Sequence, residues 1–146
     1  MEMKYSKRHY EKLLSITKNV YGVKVKERKD LWLISSSNCW AGNQSIELGI
    51  YAECWYELIA VLAHELGHCL SVRSGKAISM ATYMIYIHEV PLSKREAKLI
   101  LEEERRAWRL GFKVLRDNDI EVDGRMLKFR NARMRGHAKT VKRLSA

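Results

Sequence analysis

Tyr10, Leu13, Leu14 and Thr17 fall at i, i+3, i+4 and i+7, with lysines on the other side. That period predicts a first helix from Ser6 to Val20, with Gly22 as its C-cap. The period then changes. Val23 and Val25 alternate with lysines, and Leu31 to Ile34 form a short apolar run. This predicts a pair of strands parted near Lys29 and Asp30. "NCWAGNQ" reads as a loop, and "SIELGIY", from Ser45, as a further strand. Such short connections favour a small antiparallel sheet, because parallel pairs need long crossovers.

The next segment, from about Glu53 to Ser71, is apolar in nearly every helical direction: Trp55, Leu58, Ile59, Val61, Leu62, Leu66 and Leu70. A helix of that kind is buried. "RSGK" closes it. "AISMATYMIYIHEV" reads as another helix, broken by Pro91. Ser93 and Glu96 form an S-x-x-E capping box that opens a long helix reaching about Arg116. "DNDIEVDG" reads as a turn or short helix, and from Arg125 onward Leu127, Met134, Ala138 and Val141 again have helical spacing. The expected fold is α+β: a small antiparallel sheet on a buried central helix and a second long helix. It divides into one domain over 1–124 and a basic helical tail over 125–146.

Composition narrows the class. The chain has 146 residues, is 47% hydrophobic and contains one proline, which indicates a single folded domain. No apolar run approaches the ~18–20 residues that span a bilayer. The first residues carry charge and no signal-like apolar region, so a cytoplasmic protein without a membrane partner is expected. Cys39, Cys54 and Cys69 are odd in number and form no CxxC pair, which argues against a disulfide framework or an all-cysteine zinc site. The net charge of +10 sits at the ends. Residues 1–30 hold nine Lys/Arg against four Asp/Glu, and residues 125–146 hold eight Lys/Arg and no acid.

Chemistry concentrates in "AVLAHELGHCLSV". On a helix, His64 and His68 lie one turn apart and can present two imidazole nitrogens to one ion. Glu65 is rotated about 100° from His64, placed to act as a general base rather than a ligand. Ala60 and Gly67 flank the histidine stripe and leave room for a packed element. A catalytic zinc commonly has three protein ligands. "LEEERRAWRLG" offers Glu102, Glu103 and Glu104. Ala97, Gly111 and Leu115 lie within about 20° of Glu104, and Trp108 within about 40°. Glu104 therefore sits in the centre of an apolar face, where a carboxylate needs a positive partner. It is the first candidate for third ligand. Glu103, at the margin of that face, is the fallback, and Glu102 points to solvent.

HELGH followed by Glu104-x-x-Ala107-Trp108 resembles the gluzincin pattern of zinc metallopeptidases. Within it the chain is most similar to the small ImmA/IrrE-like, phage-type family, over roughly Val23 to Leu115. The resemblance implies a zincin-like fold, one Zn²⁺ held by His64, His68 and Glu104, and Glu65 as catalytic base. It implies hydrolysis of peptide bonds in a protein or peptide substrate. The metzincin pattern does not fit, since Ser71 and Ser74 stand where it needs Gly and His.

Other candidates surround this core. The strand residues Ser45, Ile46, Glu47 and Leu48, at a sheet edge, would pair with an extended substrate. Tyr83, Tyr86 and His88 are candidate transition-state stabilisers, and His88 is also an alternative ligand. His137 reads as solvated, and His9 has no assigned role. A second function class is nucleic-acid or acidic-partner binding through Arg125, Lys128, Arg130, Arg133 and Arg135, with Phe129 stacking on a base and a structural or non-catalytic zinc.

Overall fold

The computed structural model describes residues 5–33, 35–52 and 54–146. The architecture is α+β. Helix α1 (Lys7–Ser15) continues through one π turn at Ile16–Val20, and strands β1 (Lys24–Trp32), β2 (Ser35–Asn38) and β3 (Ser45–Tyr51) follow. Helices α2 (Trp55–Arg73), α3 (Met80–Ile87), α4 (Lys94–Asp117) and α5 (Gly124–Leu144) complete the chain. Gly22 ends the first helical segment at φ +66°, a left-handed value that suits glycine. The expected starting point of the second helix, Glu53, and the end of the apolar run, Ile34, lie outside the described residues.

The sheet corrects the antiparallel expectation. Its order is β1-β3-β2, with β1 parallel to β3 and β2 antiparallel to it. The expectation assumed that strands adjacent in sequence pair with each other. Here β3 inserts between β1 and β2. Residues 33–44 then supply the dozen or so residues that a parallel connection requires. The first strand also runs through Lys29–Asp30 without a break, its register shifting between Arg28 and Trp32. Gly49 permits this irregularity: a Cβ there would lie 2.0 Å from the Trp32 carbonyl oxygen. Because β3 is bonded on both sides, Ser45, Ile46, Glu47 and Leu48 have no free edge to offer a substrate. The free edge on that side belongs to β2.

Helix α2 is the centre of the molecule. Leu58, Ile59, Leu62, Ala63 and Leu66 are inaccessible or nearly so, with the sheet on one side and α4 on the other. Two glycines set the α2–α4 crossing. A Cβ on Gly67 would lie 1.8 Å from the Ala107 carbonyl oxygen, and one on Gly111 would lie 2.1 Å from that of Ala63. The backbones therefore touch on both sides of the crossing. Gly67 sits one residue before His68, and Gly111 two turns after Glu104, so the close crossing brings their side chains face to face.

Helix α5 packs onto α4 and α2. Asp123 caps it by accepting from the backbone N–H groups of Arg125 and Met126. Met126 is buried in the main core. Val141 and Leu144 join a second cluster with Tyr86, Leu92, Ala97 and Ile100. The Leu144 carbonyl accepts from the Leu92 amide at 2.9 Å. The basic tail is thus built into the fold. No described helix is long and apolar enough to cross a membrane.

Candidate metal centre

The α2–α4 crossing assembles the site. His64, His68 and Glu104 each offer a ligand atom, all within 4.8 Å of one another, and all three residues are buried. They form the one such group of His, Cys, Asp and Glu among the described residues. His64 Nε2 lies 2.9 Å from Glu104 Oε2, and His68 Nε2 lies 3.4 Å from the same oxygen. His68 Nε2 is buried with no hydrogen-bond partner. An orphaned imidazole nitrogen beside a buried carboxylate fits a cation, since an unmet polar atom is otherwise costly. The N₂O donor set suits a zinc-like divalent ion.

Neighbouring side chains hold the candidate ligands in place. His64 stacks on the Trp108 ring, with centroids 4.2 Å apart and planes 14° from parallel. Tyr83 donates its hydroxyl to Glu104 Oε1 at 2.5 Å. Burial and the Glu104 charge push the Tyr83 hydroxyl well above its ordinary pKa, so it remains a donor. Glu103, the fallback ligand, has other partners. Its Oε1 accepts from Ser71 Oγ at 3.0 Å, Arg106 Nη1 at 3.1 Å and the Ile78 amide at 3.3 Å. Its Oε2 lies 3.1 Å from His68 Nδ1. An Nδ1–H donated to Glu103 leaves the Nε2 lone pair free for an ion. This is the carboxylate–histidine pairing that commonly orients metal ligands. Glu103→Gln is expected to weaken metal binding by about 10–100-fold, measured by competition with a chromophoric chelator. A change under threefold would remove this role.

Glu65 stands outside the ligand group. Its Oε1 accepts from Ser35 Oγ at 3.0 Å and is 3.8 Å from His64 Nδ1. Edge strand β2 thereby orients the candidate base. Both Ser35 and Glu65 line a cleft of about 350 Å³ with His64, Tyr83, Tyr86 and Trp108. A larger groove of about 710 Å³ beside β1, lined by Lys18, Val23, Val25 and Ile46, lies away from this chemistry.

Sequence reasoning missed His137. Read as solvated, it is instead brought by α5 to the cleft wall, with Nε2 3.4 Å from Glu104 Oε2. Tyr86 pairs with its Nδ1 at 2.5 Å. Burial lowers the His137 pKa, helped by His64, His68 and Arg133 and opposed by Glu104. A neutral ring facing a carboxylate carries its proton on Nε2, with Tyr86 O–H donating to Nδ1. No local spacing announces this residue. The one available signal was its place on the Val141 side of an amphipathic tail. His88, by contrast, is the exposed C-cap of α3 and does not line the cleft, so it is neither ligand nor stabiliser here. His9 serves α1, its Nδ1 accepting from the Ser6 amide.

The tail cations divide. Arg125 lies over the Tyr5 and Tyr56 rings, Arg130 over Phe112 and Arg133 over Phe129, at 5.0–5.8 Å. Lys128 and Arg135 are exposed. Phe129 meets Tyr56 and Trp108 edge-on and is covered by Arg133, so its ring is not free to stack on a base.

Without a metal, the site holds a strongly coupled pair. Burial disfavours both charges. The Glu104 charge nonetheless raises the His68 pKa well above its ordinary value, aided by the hydrogen bond to Glu103. The imidazoles of His68 and His64 in turn hold the Glu104 carboxyl well below the usual range. The signs follow directly. The raised His68 stabilises the metal-free fold fully below about pH 6.5, and this is lost as pH rises through its folded value. The lowered Glu104 stabilises above about pH 4.5, and this is lost as pH falls through its folded value. A metal must displace the His68 proton. Zinc binding at pH 7 is therefore expected to release about one proton and to tighten as pH rises. Calorimetry in buffers of different ionisation enthalpy measures this, and buffer-independent heats would contradict it.

No protein-family model matches this chain, and neither does any curated protein or solved structure.

Proposed function

We propose that the protein is a zinc-dependent metallopeptidase of zincin-like design, with His64, His68 and Glu104 as ligands and Glu65 as general base. One observation carries the reading. Three buried side chains bring possible ligand atoms within 4.8 Å of one another, while Glu65, next along the same helix, stays outside the group and lines the cleft. A purely structural site has no use for a base held at its mouth by Ser35.

A zinc ion held there would lower the pKa of water to ~7 and polarise a substrate carbonyl. The chain's own residues supply the rest. Glu65 takes the proton of the attacking water and returns it to the leaving amine, with Ser35 fixing its Oε1. Tyr83 and Glu103 hold Glu104 and His68 in place. The free edge of β2 suits an extended peptide lying along the cleft. The His137 N–H serves the stabilising role first sought among Tyr83, Tyr86 and His88, with Tyr86 holding its ring.

Zinc content tests the reading. Wild type dialysed after zinc loading should retain one ion, and His64→Ala and Glu104→Ala none. Wild type without stoichiometric metal would overturn it. Nucleic-acid binding has less support, because Phe129, the one aromatic ring offered for base stacking, is packed against Tyr56 and Trp108 and covered by Arg133.

A further inference from the structure

Resting on the metallopeptidase reading, we infer that the α5 wall of the cleft is a carboxylate subsite centred on Arg133, with His137 beside it. The two residues are four apart on one helix and so share a face. Both line the cleft that holds His64 and Glu65. His137 is fixed by Tyr86, its Nε2 directed at the ligand group. Arg133 rests with its guanidinium 5.0 Å from the Phe129 ring centre. Among the described residues it has no ion-pair partner. An arginine prepositioned on an aromatic ring, with its N–H groups unspent, binds planar anions at reduced entropic cost.

Two carboxylates also line the cleft: Glu89 is ion-paired with Arg143 at 2.5 Å, and Glu65, the candidate base, accepts from Ser35 Oγ beside His64. Val61, Ile87 and Trp108 add apolar lining beside the polar Ser35, Glu65, Tyr83 and Tyr86. The cleft thus offers Arg133, a cation with no ion-pair partner among the described residues, near the candidate metal ligands. A substrate that pairs with Arg133 carries a carboxylate near the scissile bond. Its source is either an acidic side chain or the free C-terminus of the peptide.

The test uses the zinc-loaded full chain and two hydroxamates, which report on an open metal position without turnover. Succinic monohydroxamate carries a carboxylate, and butanohydroxamate is its neutral counterpart. Wild type should bind the first on the order of 10–100-fold more tightly, the range of a charge-assisted pair. Arg133→Gln should bring the ratio below about threefold and Arg133→Glu should invert it, both with zinc content retained. Equal affinities in wild type, or an unchanged ratio in Arg133→Gln, would overturn the subsite. Failure of both hydroxamates to bind would overturn the subsite and the peptidase reading together. Selective binding with no cleavage of any peptide would keep the subsite and overturn the peptidase. Peptide arms then identify the source. Preference for an acidic residue in C-terminally amidated peptides assigns the side chain, and preference for a free C-terminus in neutral peptides assigns the chain end. Either preference should be lost in Arg133→Gln.

Discussion

Glu65→Gln should keep one zinc per chain while peptide hydrolysis falls by about 10²–10⁴-fold, the range for loss of a general base. The substitution preserves shape and the acceptor for Ser35 Oγ, which lies 3.0 Å from Oε1. It removes only the capacity to hold a proton. Because Glu65 is outside the ligand group, metal content separates the two roles. Equal turnover in the mutant would reject the enzyme as framed. Loss of zinc would instead make Glu65 a ligand and contradict the geometry.

The second large effect is expected at a residue with no side chain. Gly67→Ala should lower stability by about 2–4 kcal/mol, the cost of forcing atoms into a packed core. That corresponds to roughly 6–15 °C in Tm. Helix propensity alone predicts the reverse, since alanine is favoured by about 1 kcal/mol. The added Cβ would lie 1.8 Å from a backbone oxygen of Ala107, which no rotamer change relieves. Forcing α2 from α4 also separates His64 and His68 from Glu104, so zinc affinity should fall in parallel. Gly136→Ala is the internal comparison: nothing lies within 4 Å of its added Cβ. It should gain about 0.5–1 kcal/mol. Thermal melts of the two variants with and without zinc measure both. A Gly67→Ala protein as stable as wild type would show that the crossing is not set there.

Much of the site was legible because its signals are local. The i, i+4 histidines and the next-door glutamate follow from helix periodicity alone. The place of Glu104 on the apolar face of α4 follows from the same period. The capping box at Ser93 and Glu96 marked where that helix starts, and both of its bonds are formed. What failed depended on neighbours distant in sequence. β2 reads "SSSN", with no apolar alternation, and is a strand through its pairing with β3. The same pairing moved β3 from the edge to the centre and made the sheet mixed. Glu103 appeared as a marginal ligand because helical angle cannot report that Ser71, Ile78, Arg106 and His68 surround it.

The sequence by itself determined the helices, the α+β class and the identity of a two-histidine, two-glutamate constellation. These depend on spacing, which the helix converts directly into direction. Tertiary structure decided which strand is the edge, which glutamate faces the histidines and which orients them. It also brought His137 and Arg133 into the cleft, 69 residues or more along the chain from His64. Such meetings arise from how α2, α4 and α5 cross. The crossings are set by backbone contact at Gly67 and Gly111 and by shared burial of Met126, Val141 and Leu144, neither of which has a period to read.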